Sequence, residues 1–469
     1  MSHRGAASKL SSFGNAMADK MEAMEVRESS SFESKGKDIG KDRKLSLSSV
    51  AFIAATFLLL LLLSHKGFAG ASFRGSISYS VVIDCGSTGS RVHIYEFNNV
   101  GGSSLPRVEN EIFKQLKPGL SAYANDPIKG AESLVPLLDA AVAAIPESEH
   151  GVTPLFVGAT AGLRLLPGNQ ADKLLDAVRL LLRRRYNFKF SPADDVMILS
   201  GDDEGKFAWM ATNMLLGLLR PGADTVGVVD LGGGSAQMIR AVELDEIAML
   251  PPEKINKVKL GTQEIFLYVH SFLNYGLMAA RKQILKISGA SKACMPNSYQ
   301  GPQAKYKYGG ETLSAAGGPN GNFQGCLSKT LMTLDLDDQC THNTCTFDGE
   351  WAGTGTAKEQ FYMLSYIYER IDQTGAGDFS SIGGKSSLQR IKDTAREICS
   401  MPLAKLNSIM GADEEDRPYL CMDLSYIYSL LNIGLGVTGD IHLAKKFPSS
   451  NGKEFEAAWA LGAAMSRMG

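Results

Sequence analysis

The chain has 469 residues, of which 44% are hydrophobic and 21% are charged. This composition is typical of a globular protein with a large core and excludes a mainly disordered or fibrous chain. Its 48 basic and 50 acidic side chains give a formal charge of −2. Because there is no excess of basic residues to attract a phosphate backbone, we expect no nucleic acid among its partners.

The first 64 residues resemble a membrane-targeting segment. Residues 1–44 are rich in Ser, Lys and Glu and predict a disordered cytosolic tail. Residues 45–64 are uncharged and mostly apolar, and they are long enough to cross a bilayer as one helix. Basic residues precede this run, which predicts a single-pass type II membrane protein whose main domain lies in the Golgi lumen or outside the cell. A cleaved signal peptide ending near residues 69–71 is the alternative.

Strand-like and helix-like stretches alternate in the rest of the chain. The predicted strands are Val81–Asp84, Pro154–Gly158, Val196–Leu199 and Thr225–Asp230. The predicted helices are Ala131–Ile145, Ala171–Arg185 and Phe207–Leu219. This alternation predicts an α/β fold with a mixed sheet, interrupted by a loop-like insertion over residues 297–325.

An internal repeat is the most informative feature of the sequence. Residues 81–97 and 226–242 share one plan, in which an apolar strand ends in Asp84 or Asp230 and a Gly-rich turn leads into a second strand. Carboxylate oxygens suit a divalent cation, and glycines allow backbone N–H groups to approach phosphate oxygens. Two such loops facing each other would hold two phosphates with a cation between them.

Two further segments belong with this repeat. Residues 153–166 form a strand that leads into the small residues Thr160, Ala161 and Gly162. Residues 200–205 place three acids at the start of a helix. Such acids are compatible with simple helix capping, and their position between the two loops also favours a catalytic role.

The cysteines are concentrated in the last part of the chain. Apart from Cys85, they form an even set of six, which suggests three disulfides in an oxidising compartment. We predict pairing between sequence neighbours: Cys294–Cys326, Cys340–Cys345 and Cys399–Cys421. A metal site that uses His342 between Cys340 and Cys345 is the alternative, although a second ligand pair at zinc-finger spacing is missing.

Five ordered motifs resemble those of the apyrases, or nucleoside triphosphate diphosphohydrolases, and most resemble the plant members with an N-terminal anchor. The motifs lie at residues 84–91, 159–166, 200–205 with Trp209 and Asn213, 230–237, and 459–463. The resemblance covers about residues 78–467. Its departures are Cys85, Gly234 and Ala236, which stand where many members have Ala, Ala, and Ser or Thr.

The resemblance implies two ribonuclease H-like lobes of the actin and sugar-kinase type with the active site in the cleft between them. Lobe I would comprise residues 75–193 and 444–469, and lobe II residues 194–443. The implied activity is divalent-cation-dependent hydrolysis of the terminal phosphate of nucleoside tri- and diphosphates. A kinase or exopolyphosphatase on the same fold and a non-enzymatic nucleotide sensor are the alternatives.

The resemblance also implies a role for individual residues. Glu204 would be the general base and Ser235 would help to place the attacking water. The phosphate contacts would be Ser87, Thr88, Gly89, Ala161, Gly233 and Gly234. A calcium or magnesium ion would be held, mostly through water, by Asp84, Asp230, Thr160, Gln237 and Trp459. Tyr426 and Tyr366 would stack against the nucleobase, although each is also compatible with a core position.

Overall fold

The structure is a computed structural model that describes most of the chain from residue 76 onward. The described residues are 76–99, 106–220, 222–244, 246–260, 263–319, 321–342, 345–351, 360–380, 383–409, 411–448 and 452–468. The predicted tail (1–44) and anchor (45–64) lie outside them. Among the helices within these ranges, none is both long and apolar enough to cross a membrane. From residue 73 onward the chain forms one compact unit.

The first part of the chain builds a five-stranded sheet. Its strands are β1 (Ser76–Cys85), β2 (Ser90–Asn99), β3 (Arg107–Leu116), β4 (Leu155–Ala159) and β5 (Val196–Ile198). The helices of this part are α1 (Pro127–Glu132), α2 (Val135–Ala144), α3 (Ala161–Arg164), α4 (Gln170–Arg185) and α5 (Gly201–Leu215), with 3₁₀ turns at Leu120–Tyr123 and Glu147–Val152. The strand order is β3-β2-β1-β4-β5.

The second part builds an eight-stranded sheet and two small hairpins. Its strands are β6 (Gly227–Leu231), β7 (Ser235–Ala241), β8 (Ile255–Leu260), β9 (Gln263–Leu273), β10 (Lys305–Tyr308), β11 (Glu311–Ser314), β12 (Phe361–Ser365), β13 (Asp378–Ser380), β14 (Gly383–Ser387), β15 (Asp440–Leu443), β16 (Lys446–Pro448) and β17 (Glu454–Glu456). The large sheet has the order β13-β14-β15-β12-β6-β7-β9-β8.

Helices cover this second sheet and the centre of the molecule. They are α6 (Leu277–Lys286), α7 (Ala290–Cys294), α8 (Phe323–Leu331), α9 (Tyr366–Thr374), α10 (Leu388–Ser400), α11 (Leu403–Leu406), α12 (Leu420–Ser429) and α13 (Trp459–Met465). Short 3₁₀ turns lie at Ile247–Met249, Pro252–Lys254 and Arg417–Tyr419, and a π-helical turn at Leu430–Gly434 follows α12.

The sequence repeat extends to the topology of both sheets. The order β3-β2-β1-β4-β5 in the first sheet corresponds to β9-β7-β6-β12-β15 in the second. Strand directions also agree, because the first three strands of each set pair antiparallel and the last two join in parallel. The mixed α/β prediction is therefore confirmed, and β1 and β6 occupy equivalent central positions.

Helices α5 and α13 pack against each other between the two sheets. Helix α13 also contacts β1, and α5 contacts β7 and β9. The apolar core around these two helices draws on both sheets and includes Val82, Trp209, Val228 and Trp459. Burial of these side chains holds the carboxyl ends of β1 and β6 at the same side of the molecule.

Three local features differ from the sequence predictions. The helix predicted over Ala131–Ile145 is two helices. The first ends at Glu132 and the second begins at Val135, with Pro136 in its first turn, where a missing amide hydrogen is tolerated. The predicted loop over 297–325 contains the hairpin β10–β11, whose turn is made by Gly309 and Gly310 at positive φ. Strand β5 pairs with β4 in the first sheet, although the predicted lobe boundary assigned residues from 194 to lobe II.

The predicted disulfides are confirmed as Cys294–Cys326, Cys340–Cys345 and Cys399–Cys421. The first bridge joins α7 to α8 and the third joins α10 to α12, so both fasten the helical layer of the second sheet. The alternative metal site is not formed, because the sulfurs of Cys340 and Cys345 bond to each other. Cys85 is a free thiol buried in β1.

Candidate active site

A cleft of about 700 Å³ opens where β1, β4, β6 and α13 meet. Most of the residues that the sequence singled out line this cleft. They are Asp84, Ser87, Thr88, Thr160, Ala161, Glu204, Asp230, Gly233, Gly234, Ser235, Tyr366 and Trp459. Gly89, Gln237 and Tyr426 do not line it.

The two Gly-rich turns of the repeat contact each other across the cleft. A β-carbon added at Gly233 would lie 2.3 Å from the Ser87 hydroxyl, and one added at Gly234 would lie 2.8 Å from the Ala161 β-carbon. Gly162 packs as closely against the backbone of Ser87, at 2.8 Å. A β-carbon at Gly162 or Gly234 would push these segments apart, and one at Gly233 would displace the Ser87 hydroxyl.

Gly89 has a supporting role in the first turn. Its carbonyl accepts a 3.0 Å hydrogen bond from the Gly86 amide, which closes the turn. A β-carbon at Gly89 would lie 2.8 Å from the Leu116 carbonyl oxygen, so this glycine allows the turn to pack against the end of β3.

Asp84 and Asp230 end the two equivalent strands and are both buried. Each has one carboxylate oxygen, Oδ1, without a hydrogen-bond partner among the described residues. The other oxygen of Asp84 accepts a 3.0 Å bond from Arg91. Burial raises the pKa of Asp230 to about 6, and the charge of Asp84 adds to the effect. Two buried carboxylates with free oxygens form a donor set that fits a hard divalent cation.

Glu204 lies in the first turn of α5, which begins as the sequence predicts. The Ser200 hydroxyl caps the helix by accepting a 3.0 Å bond from the Asp203 amide. Asp203 also pairs with Lys206, whereas Glu204 faces the cleft and forms an ion pair with Arg164. Burial raises the pKa of Glu204 to about 8 despite this pair, and Asp230 and Asp84 contribute to the rise.

Ser235 and Gln237 are on β7 and lie beside Glu204 of α5. The Gln237 amide nitrogen donates to the Ser235 hydroxyl at 2.7 Å and reaches Glu204 at 3.5 Å. It also donates to Ser271 on β9 at 3.1 Å. Gln237 lies behind the cleft and orients Ser235 and Glu204, which face it. The carbonyl oxygen of the Gln237 side chain has no hydrogen-bond partner among the described residues.

Thr160 and Trp459 complete the inner wall. Thr160 is the N-cap residue of α3 and is buried. Trp459 begins α13 and packs edge-on against Phe156. Its ring lies so close to Gly158 that an added β-carbon there would be 2.6 Å from the ring. The position of Trp459 therefore depends on a glycine in β4.

The two tyrosines predicted to hold a base differ in their surroundings. Tyr366 lines the cleft, and the Arg370 guanidinium lies 5.2 Å from the centre of its ring. Tyr426 is 1% exposed, and its hydroxyl donates to the Tyr275 carbonyl at 2.6 Å. The assignment of Tyr426 is therefore wrong in this structure, because α12 is buried and leaves no free ring face for a base.

A buried charge network supports Tyr366 from behind. The guanidiniums of Arg370 on α9 and Arg281 on α6 each bond to both Asp416 and Asp423, at 2.5–2.8 Å. The two arginines and Asp423 are at most 2% exposed. The two positive charges balance the two negative ones, and the network connects α9 to α6. The first residues of α6 in turn donate hydrogen bonds to the backbone of the second Gly-rich turn.

Sequence reasoning did not assign a role to Arg91, Arg164 or Ser365. Arg91 pairs directly opposite Asp84 in the hairpin register, which depends on the turn length. Arg164 lies in the motif at residues 159–166. A charged residue next to small residues in that motif was the signal that could have indicated a role for it. Ser365 has φ 52° at the end of β12, and its hydroxyl lies within hydrogen-bonding reach of Asp230.

Comparisons with known proteins agree with this geometry. The sequence profile of the GDA1/CD39 (nucleoside phosphatase) family matches residues 72–469. A protein named probable apyrase 2 from Oryza sativa subsp. japonica is 38% identical, over 90% of this chain and 94% of its own. Apyrase 1 of Arabidopsis thaliana is 40% identical, over 86% of this chain and 87% of its own.

Two further matches extend the comparison. A nucleoside-triphosphatase of Pisum sativum is 36% identical, over 83% of this chain and 87% of its own. The crystal structure of nucleoside triphosphate hydrolases from Neospora caninum shares the fold, with a TM-score of 0.62 at 16% identity over 89% of this chain and 96% of that chain. The resemblance to plant apyrases predicted from five motifs is confirmed, and the chain belongs to the GDA1/CD39 (nucleoside phosphatase) family.

Proposed function

We propose that this cleft hydrolyses the terminal phosphate of nucleoside tri- and diphosphates, with Glu204 as the general base. Membership of the family makes the chain a nucleoside phosphatase. The observation that carries the finer assignment is the position of Glu204, a buried carboxyl of raised pKa beside two buried aspartates with unpartnered oxygens.

We assign a divalent cation, calcium or magnesium, to Asp84 and Asp230. Their free Oδ1 atoms supply the donors, and Thr160 and Trp459 line the same cleft. Gln237 lies in the layer behind it and offers an unpartnered carbonyl oxygen. When bound, the cation neutralises charge on the phosphates and on both aspartates.

The two Gly-rich turns and the start of α3 would hold the phosphates. Ser87 and Thr88 provide hydroxyl and amide donors from one side, and Gly233 and Gly234 provide amides from the other. Ala161 begins α3 between them, and Gly89 keeps the first turn closed. Backbone N–H groups in such turns form anion-binding concavities, so the reacting phosphate would lie within reach of Glu204 and Ser235.

Glu204 would take the proton of the attacking water. Ser235 lies next to it and is oriented by Gln237, so the pair can hold a water molecule in line with the terminal phosphorus. Arg164 stabilises the ionised form of Glu204, which is the form that accepts a proton. As the proton moves to Glu204, Arg164 keeps a bond to the carboxyl group and holds it in place.

The nucleoside would extend from the phosphates toward Tyr366. Its ring borders the cleft and is supported by Arg370, which favours stacking that accepts several bases. We propose two ribonuclease H-like lobes around this cleft, as the shared strand order supports. The lobes would be those predicted from the sequence, 75–193 with 444–469 and 194–443, except for one change. The pairing of β5 with β4 extends the first segment of lobe I past Ile198.

The compartment follows from the same reasoning. We propose that residues 45–64 anchor the protein as a single-pass type II membrane protein, with the cleft in the Golgi lumen or outside the cell. The three disulfides favour such an oxidising compartment.

The test is Glu204→Gln, assayed by phosphate release from a nucleotide with no acceptor alcohol present. Gln keeps the size and loses the ability to take a proton, so the rate should fall about 10²–10⁴-fold while nucleotide binding persists. Asp203→Asn is the matched control, because Asp203 serves the helix cap and Lys206; its rate should stay within about tenfold of the original.

The outcomes separate the alternatives. Normal turnover by Glu204→Gln together with an inactive Asp203→Asn would show that the general base is Asp203 and not Glu204. Nucleotide binding by the original chain without any turnover would favour a sensor. Turnover that occurs only with an acceptor alcohol, and that transfers the phosphoryl group to this alcohol, would favour a kinase.

A further inference from the structure

A second group of potential metal ligands lies in the wall of the cleft, on strands that the catalytic residues do not use. His93 is on β2, Glu111 on β3 and Glu456 on β17. One ligand atom from each of them lies within 4.8 Å of the other two. We propose that this triad binds a transition-metal ion of the Zn²⁺ class, at a site separate from the cation site of the two aspartates.

The triad is already assembled by hydrogen bonds. His93 is 1% exposed, and its Nδ1 lies 2.8 Å from a Glu111 carboxylate oxygen. The other Glu111 oxygen accepts a 3.2 Å bond from the Glu456 backbone amide. Three segments distant in sequence thus meet at one point, and a metal ion needs such a fixed set of donors.

A buried tyrosine borders the triad and helps to fix it. The Tyr95 side chain is fully buried, and its ring stacks on His93 at 5.8 Å. Tyr95 also lies opposite Glu111 in the β2–β3 register. The orientation of the His93 ring is therefore fixed by packing on one face as well as by its bond to Glu111.

The local charge also favours a cation. Two carboxylates face a single imidazole, and Arg91 is engaged by Asp84. Besides His93, Arg91 and Lys445 are the basic groups that interact with Glu456. A divalent ion between the two carboxylates would offset their charge.

The ligand types distinguish the ion from the catalytic one. Calcium and magnesium are bound through oxygen, whereas one imidazole with two carboxylates is a donor set for zinc and its first-row neighbours. Arg91 interacts electrostatically with both Asp84 and Glu456. The two sites are therefore adjacent and share no ligand.

The experiment is a calorimetric titration of the metal-free full chain with Zn²⁺ alone, without nucleotide. The original chain should bind one more equivalent than Glu456→Gln or His93→Asn, and millimolar calcium should not remove that equivalent. Glu454→Gln is the matched control, because Glu454 is on the same strand, is exposed and lies outside the triad. Its stoichiometry should equal that of the original chain.

The same titration in an Asp84→Asn/Asp230→Asn background separates this site from the proposed cation site, because the extra equivalent should persist there. Equal stoichiometry in the original chain and both triad variants would overturn the proposal. If the triad variants fail to fold, zinc-edge absorption of the original chain decides the question. A nitrogen and oxygen shell supports the site, and an oxygen-only shell or no bound zinc refutes it.

Discussion

The contact between Arg164 and Glu204 allows the proposed base to be tested without removing it. Arg164→Met keeps most of the length of the side chain and removes its charge. In the structure the Arg164 guanidinium bonds to a Glu204 carboxylate oxygen and reaches the Ser235 hydroxyl at 3.4 Å. Since Arg164 is the strongest influence that lowers the pKa of Glu204, its loss should raise that pKa further above about 8.

The size of the effect follows from the ionised fraction of Glu204. With a pKa of about 8, about one-tenth of the groups are ionised at pH 7. A cation within hydrogen-bonding distance shifts the ionisation of a carboxyl group about 10- to 1000-fold. The rate at pH 7 should therefore fall by about that factor in Arg164→Met. It should recover as the pH rises, because only the ionised carboxylate accepts a proton.

The assay is the pH dependence of phosphate release at saturating nucleotide, with the thermal unfolding midpoint as a check on folding. The pH range over which the rate of phosphate release rises should move to higher pH in Arg164→Met. In Arg164→Lys, which keeps the charge, this rising limb of the pH profile should stay close to the original. A cation bound at Asp84 and Asp230 should move the limb to lower pH, because both aspartates raise the pKa of Glu204. A pH-independent loss of rate, or an unchanged limb, would refute Glu204 as the titrating base.

Three further outcomes are expected. Asp230→Ala should abolish turnover and weaken cation-dependent nucleotide binding measured by calorimetry; near-normal activity in millimolar calcium would contradict the two-loop site. Tyr366→Ala should raise KM more than it changes kcat, whereas Tyr426→Phe should leave KM unchanged and cost about 1 kcal/mol of unfolding free energy through one lost hydrogen bond. Replacing Cys399 and Cys421 by Ser should lower the free energy of unfolding in denaturant by about 2–4 kcal/mol, and an unchanged midpoint would show that the bridge does not restrict the unfolded chain.

The parts of the site that could be predicted from sequence are those fixed by backbone geometry. A carboxylate at the end of a buried strand, followed by a Gly-rich turn, has few possible positions, so Asp84 and Asp230 were placed together by their repeat. The shared order of the two sheets was not visible, because β12 and β15 follow long insertions that hide their equivalence to β4 and β5.

Side chains whose roles depend on register or burial were harder to predict. Arg91 meets Asp84 only because the hairpin pairs them directly. The family resemblance assigned Tyr426 to the base, yet a helix that is apolar on nearly every side is typical of a core position. The sequence already contained this pattern, which favoured a core position for Tyr426 over a role in base binding.

The repeat also explains why the two halves of the site do different chemistry. In the hairpin β1–β2 the residue opposite Asp84 is Arg91, and in the hairpin β6–β7 the residue opposite Asp230 is Gln237. The same backbone position therefore supplies a positive charge in one half and a neutral amide in the other. Asp84 has its own counter-charge, whereas burial raises the pKa of Asp230 to about 6. In the proposed mechanism, an arginine at position 237 would compete with the cation at Asp230 and would form an ion pair with Glu204. The neutral amide would leave Asp230 available for the cation and Glu204 available for proton transfer.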